Sequence, residues 1–222
     1  MSGEKLDYKK EYKNLYLPKQ KPELVEVPAM NFIMVNGRGN PNDEGGEYQQ
    51  AVELLYGLSY TIKMSNRNGC APEGYFEYVV PPLEGLWWLE QDDDMDFTQK
   101  DKFCWTSMLR QPEFVSTEVF QWACKELKRK KPQLDPSKAY LETFAEGSCV
   151  QILHMGSYDE ESKSIEQMET FIKENNFENA ISTAYPDGRI RRHHEIYLSD
   201  PRKTAPEKLK TVLRHPICKI GL

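Results

Sequence analysis

The sequence predicts an α+β fold made of two strand-helix-strand-strand modules, and three observations carry that expectation. Segments rich in β-branched and aromatic residues alternate with stretches of helical period, and the order of these segments recurs in the second half of the chain. Short motifs recur in the same order. FIMVNGRGNPNDEGGEYQQAVE parallels VQILHMGSYDEESKSIEQME as strand, glycine, acidic turn and helix, matching Gly37 to Gly156; SMLRQP parallels TVLRHP, matching Leu109, Arg110 and Pro112 to Leu213, Arg214 and Pro216. A duplication explains this, with chance similarity of two α+β units as the alternative. Two such modules related by a pseudo-two-fold would form two antiparallel sheets, with helices on the outer faces and a ligand groove between the uncovered faces.

Residues 1–22 are rich in Lys and Tyr and end in LPKQKP, so they read as a tail that packs its tyrosines on the body. The body, residues 23–222, reads as one domain with halves of about 23–115 and 116–222. ELVEVPAMNFIMVNG is strand-like, and GGEYQQAVELLYGLSYTIKMS places Tyr48, Ala51, Val52, Leu55 and Leu58 at helical spacing. GYFEYVV, PPLEGLWWLEQDDD and DKFCWTSMLRQP then read as three strands. STEVFQWACKELKRKK is a helix with a cap at Ser116/Thr117 and a stop before Pro132. From residue 139 follow the strands AYLETFAEG and SCVQILHMG, the helix DEESKSIEQMETFIKENN, and the strands RIRRHHEIYLSD and LKTVLRHPICKI.

The charge balance, 29 Lys+Arg against 35 Asp+Glu, lacks the cationic surplus that phosphate backbones demand, so nucleic acid is not an expected partner. Five scattered cysteines without a C-x-x-C argue against a disulfide framework and fit a reducing cytoplasm. No apolar run approaches the ~18 residues of a membrane span, so no membrane partner is expected and the protein is expected to be soluble and cytoplasmic.

RRHHEIYLSDPR, residues 191–202, concentrates chemistry-bearing side chains. On a strand, Ile190, Arg192, His194, Ile196 and Leu198 share one face, and Arg191, His193, Glu195, Tyr197 and Ser199 the other. The aliphatic pair Ile196/Leu198 marks the core, leaving Glu195, Tyr197 and His193 toward the groove. The two histidines cannot grip one ion, and His193 with Glu195 alone falls short of the three or four ligands of zinc, so no metal is expected. A bland alternative for Glu195 is a cross-strand pair with a neighbouring arginine. In PLEGLWWL, aligning Trp88-Leu89 with Tyr197-Leu198 sends Trp88 to the groove and Trp87 to the core. The chain carries 12 Tyr, 9 Phe and 4 Trp. Tyr60, Tyr78, Trp105 and Tyr158 fall where they would line the groove beside Trp87 and Trp88, although ordinary core packing is the common fate of such rings. Rings above one acid suit planar or cationic organic molecules.

The motifs YKNLYLPK, VPAMNFIMVNGRGNPN, YQQAVELLYGLSYTIK, PPLEGLWW, MLRQPEFV, EGSCVQILHMGSYDEE and HHEIYLSDPRK, spanning about Tyr8 to Pro216, resemble the stand-alone subfamily of GyrI-like small-molecule-binding proteins. The resemblance implies a duplicated strand-helix-strand-strand (SHS2) fold and an aromatic cleft for hydrophobic, often cationic, molecules over a carboxylate that corresponds to Glu195. The group with PLEGLWW and HHEIYLSDP is similar to cyclopropanoid cyclopropyl hydrolases, which detoxify DNA-alkylating compounds of the yatakemycin and duocarmycin type. That similarity implies catalysis by Glu195 with an aromatic residue, Trp88 or Trp87, and needs no cofactor. A topoisomerase-gripping role follows from the family's name more than from any residue, so gyrase is not an expected partner.

Under this reading Glu195 activates a water for attack on the cyclopropyl carbon, while Tyr197 or His193 orders that water or protonates the phenolate. Direct attack by Glu195 is the covalent variant. The competing reading is a non-catalytic protein that sequesters lipophilic cations. Remaining motifs read as structure: KELKRKK as a solvated helix end, QDDDMD at 91–96 as a solvated turn, GRGNPN as a tight turn at the groove's rim, and Cys149 as a small core residue.

Overall fold

The computed structural model describes residues 5–90 and 99–220, except for the side chain of Asn68; the acidic stretch QDDDMD lies outside them. Two short helices, α1 (Tyr8–Glu11) and α2 (Lys13–Tyr16), precede strands β1 (Glu23–Val27) and β2 (Met30–Arg38). Next come α3 (Glu47–Lys63), β3 (Leu83–Leu89), β4 (Phe103–Arg110), α4 (Thr117–Lys130) and β5 (Ala139–Phe144). The chain ends with β6 (Gly147–Met155), α5 (Ser162–Glu174), β7 (Phe177–Asn179), β8 (His193–Tyr197) and β9 (Lys210–Lys219). Ser116 caps α4 as expected, its hydroxyl accepting from the Val119 amide. No described helix is long and apolar enough to cross a membrane.

These strands form one antiparallel sheet rather than two. Its order is β1-β6-β9-β8-β3-β4-β2-β5, with β7 paired to β9 outside that path. The order reads alike from both ends when β1 is equated with β5, β6 with β2, β9 with β4 and β8 with β3. β8 and β3 meet at the middle. The expected strand GYFEYVV is not one: flanked by Pro72 and by Pro81 and Pro82, which cannot donate to a ladder, it makes a single bridge between Tyr78 and Leu6.

The helices also lie elsewhere than expected. Ala51, Leu54, Leu55, Leu58 and Ile62 of α3 pack on Ile33, Val35, Trp87, Leu89 and Trp105, and α4 adds Ala123 and Leu127. Met168 and Ile172 of α5 pack on Val150, Ile152, Leu213 and Ile217. In the sheet register Glu195 stands opposite both Gly85 and Leu213, and His193 opposite Trp87. Directly opposed residues point the same way, so α3, α5 and Glu195 share one face. Glu195 therefore stands on the helix-bearing face of the sheet, not on a bare one. A single sheet has only two sides, and the N-terminal segment occupies the other: Tyr8 and Tyr16, each 1% exposed, join Phe32, Met34, Tyr78, Met108, Ile196 and Val212 there.

A buried ionic network fastens that segment. His194, pointing away from Glu195, places Nδ1 2.9 Å from Glu146 and Nε2 3.1 Å from Glu84. The Tyr16 hydroxyl donates to Glu84 at 3.3 Å, and Arg214 reaches Glu146 at 3.4 Å. Arg214 also donates to the Leu15 carbonyl at 2.7 Å, and Gln151 donates to the Asn14 carbonyl at 2.6 Å. These side chains satisfy α2 carbonyls that lack helical partners. Two carboxylates face two cations, so the charges balance. Burial opposes the charged form of His194, but the charge of Glu146 and the hydrogen bonds that His194 donates to Glu146 and Glu84 outweigh it and push its pKa up to about 9.

An unfolded histidine loses its proton near 6.5, whereas folded His194 keeps it to about 9. The network's contribution is therefore full below about pH 6.5 and fades as pH rises through 9. Urea denaturation of the wild type should show stability falling across that window. In His194→Gln the slope should flatten, with a loss of about 3–5 kcal/mol at the acidic end, because the carboxylates lose their buried partner.

Candidate active site

β8 supplies the floor. Glu195 is 7% exposed, and His193 Nε2 lies 3.2 Å from its Oε1. On the far side of the imidazole, His193 Nδ1 is 2.7 Å from Nε2 of His215 on β9. Burial, not offset by Glu169, holds His215 down at about 4, so this ring is neutral and acts as a support. Both ring nitrogens of His193 are thus engaged. Tyr197, one pleat along, shares a hydrogen bond with Glu195, and burial together with that carboxylate keeps its phenol protonated far into the alkaline range. The arginines of the strand turn elsewhere: Arg191 bonds Thr183 and the Ala184 carbonyl, and Arg192 stacks on Trp88 at 4.7 Å. The contacts of Glu195 are thus with His193 and Tyr197 rather than with either of these arginines.

The wall from β3 is Trp87. Its Nε1 donates to the Tyr197 hydroxyl at 2.8 Å. Gly85 makes this possible, since a Cβ there would sit 2.6 Å from that nitrogen and 3.3 Å from the Tyr197 hydroxyl. Trp88 points to the opposite face, which corrects the expected assignment. The parallel alignment of LWWL with IYLS does not describe an antiparallel pair, where Trp87 stands opposite His193. Trp88 is therefore remote from Glu195. Tyr78 is likewise displaced, buried on the other face beneath the N-terminal segment.

Trp105 is on the correct face but fully buried, its ring filling the space over Gly37, where a Cβ would overlap it at 2.2 Å. It supports Tyr48, whose ring meets Trp105 edge-on at 5.2 Å and tilts over Trp87 at 5.4 Å. Tyr48 also interacts with the Tyr197 hydroxyl. Tyr60 stands on the exposed side of α3, stacked on Tyr56 at 6.3 Å.

The opposite wall is the turn before α5. His154 fixes it, with Nδ1 3.0 Å from Ser164 Oγ and Nε2 3.0 Å from the Ser157 carbonyl. Tyr158 on this turn packs edge-on against Tyr197 at 5.7 Å. Lys100 joins the turn to the start of β4 through Asp159 at 2.7 Å.

The turn delivers one residue that the sequence motifs did not disclose, Glu161. Its carboxylate comes together with His193 and Glu195, the three polar atoms lying within 4.8 Å of one another. Glu161 is 1% exposed, and neither of its oxygens has a hydrogen-bond partner among the described residues. Burial first, and then the charge of Glu195, raise its pKa well above the usual carboxylate range. The site thus unites a base, a second acid and stacked rings, a set suited to moving a proton at a flat bound molecule or to holding a cation.

Known proteins share this arrangement of chain. A crystal structure described as a hydrolase from Listeria innocua is 47% identical, with a TM-score of 0.85, covering 96% of this chain and all of that one. A second, described as an uncharacterized conserved protein from Listeria innocua, is 48% identical at a TM-score of 0.87, with the same coverage. The EcmrR C-terminal domain, 10% identical over 90% of this chain and 98% of that one, has a TM-score of 0.54 and shares the fold alone. No curated protein matches the sequence significantly. The GyrI-like small molecule binding domain matches residues 20–217, and the chain belongs to that family.

Proposed function

We propose that this protein is a small-molecule hydrolase that opens the strained cyclopropane of planar, DNA-alkylating cyclopropanoid compounds, and so detoxifies them. The observation that carries the reading is Glu195, buried under Trp87, Tyr197 and Tyr48 and oriented by His193 and Tyr197. The Listeria innocua relative described as a hydrolase supports the reaction class. The rings hold the flat conjugated system by stacking. Water adds to the cyclopropyl carbon, the ring carbon–carbon bond breaks into the dienone, and the carbonyl oxygen becomes a phenolate. Glu195 takes the proton that water loses. Tyr197, already accepting from Trp87, orients Glu195 rather than serving as the acid.

A second reading, sequestration of lipophilic cations, is favoured by one observation: two acids at the floor, Glu161 and Glu195, stand beneath aromatic rings. The two readings part on the fate of the ligand.

Incubation of the purified protein with a cyclopropane-containing dienone, followed by mass spectrometry, should show a product heavier by one water. Glu195→Gln should slow ring opening by about 10²–10⁴-fold, the usual contribution of a positioned base. Full turnover by that variant would remove Glu195 from the mechanism, and stoichiometric binding of a cationic dye without turnover of any cyclopropane would favour sequestration. Trp87→Phe should weaken a planar ligand about tenfold, in line with ~1.5 kcal/mol for an aromatic contact. Trp88→Phe should bind as the wild type does, measured by fluorescence titration.

A further inference from the structure

We propose that Glu161 and Glu195 form an acid dyad holding one proton, in which Glu161 carries that proton and fixes the attacking water for Glu195. The inference rests on the hydrolase reading for its chemical step, and on geometry for the dyad itself. The two carboxyl groups and His193 have polar atoms within 4.8 Å of one another, and both carboxyl groups are buried. Two carboxylates so placed in a dry site do not both ionise.

Which of them keeps the proton follows from their partners. Glu195 is bonded by Tyr197 and by His193. Glu161 has no such partner on either oxygen. The charges that bear on Glu161 are Glu195 and Asp159, both negative, and Asp159 is itself paired with Lys100. The remaining titratable neighbours of the pair, Tyr48, Tyr158, Tyr197 and His215, are neutral, the phenols raised by burial and His215 held down by it. The neighbour able to carry a positive charge is His193, and it lies on Glu195, so nothing among the described residues offsets a second negative charge on Glu161.

Ser107 Oγ and Thr211 Oγ1 on this face also lack a partner among the described residues, but Glu161 is the carboxyl with both oxygens unbonded, placed to meet an incoming molecule beside Glu195. In the reaction its O–H donates to the water oxygen, aiming the water while Glu195 accepts the water's proton. The carbon–oxygen bond forms as the cyclopropane carbon–carbon bond breaks, and the electron pair ends on the former carbonyl oxygen. Glu195 returns its proton to solvent, which also protonates the phenolate. The proton on Glu161 is not consumed, so the dyad resets without a co-reactant.

The test compares kcat/KM against pH for the wild type, Glu161→Gln and Glu161→Leu on a cyclopropane-containing dienone. The wild type should give a bell, with its alkaline limb marking loss of the Glu161 proton. Gln keeps an N–H donor and cannot ionise, so its alkaline limb should vanish while activity at neutral pH stays within about tenfold; Leu should lose about 10²-fold or more at every pH. Superimposable wild-type and Gln profiles would overturn the proposal. A substrate-free arm is independent of turnover: difference infrared spectroscopy should show a protonated carboxyl at neutral pH in the wild type that is missing in Glu161→Gln. Its absence from the wild type, or a stoichiometric metal ion in the purified protein, would overturn the dyad, whereas a dyad without cyclopropane turnover would overturn only the hydrolase reading.

Discussion

The antiparallel pairing of β3 with β8 is the constraint on which the rest of this molecule depends. It closes the sheet at its midpoint, where the strand order begins to mirror itself. The same register sets Gly85 against Glu195 and Trp87 against His193. Slipping either strand by one residue would exchange the faces of every side chain on that strand. A slip of β3 would carry Trp87 away from Glu195, and a slip of β8 would drive Glu195 into the aliphatic layer under the N-terminal segment. The ladder that stabilises the fold is therefore also what assembles the site.

β8 carries two ionic clusters of opposite character on its two faces. Below, His194 and Arg214 offset Glu84 and Glu146, and hydrogen bonds from Tyr16 and Gln151 complete a network that fastens the chain's beginning. Above, Glu195 and Glu161 face neutral rings and the His193 contact, with the charge of Asp159 adding to the negative side. A balanced cluster holds structure together, whereas an imbalance of acid at a buried floor is resolved by a proton or a ligand. Adjacent histidines in one dipeptide thus serve unrelated ends.

Much of this was legible in the sequence because strand alternation is a local rule. It separated His193 from His194 and put Glu195 and Tyr197 on one face, and the order of elements followed from periodicity and from turn residues. What depended on long-range pairing was not legible. Trp87 and Trp88 exchange sides because the register across β3 and β8, and not a likeness between their sequences, decides the matter. The single sheet replaces two because β8 joins β3, a contact no local pattern encodes. Glu161 arrives from the turn before α5, 34 residues from Glu195, with no spacing to mark it; its only signal was a carboxylate in the acidic turn that opens a helix. Tyr48 was visible as a helical-face residue, but its place over Trp87 emerges only once α3 lies on the sheet.

The fastening of His194 beneath β8 has a mechanical consequence. The strand that bears Glu195 is clamped from below by Glu84 and Glu146 and from the sides by β3 and β9. Its carboxylate is therefore a fixed reference point, unable to follow a ligand. Accommodation falls instead to the turn before α5, where Tyr158 retains contact with solvent and where the Lys100 to Asp159 link is at the surface. A cleft built this way tolerates diverse outlines around its edge yet insists on one placement of charge at its base, so molecules of unlike shape would be sorted by where their reactive or cationic atom falls.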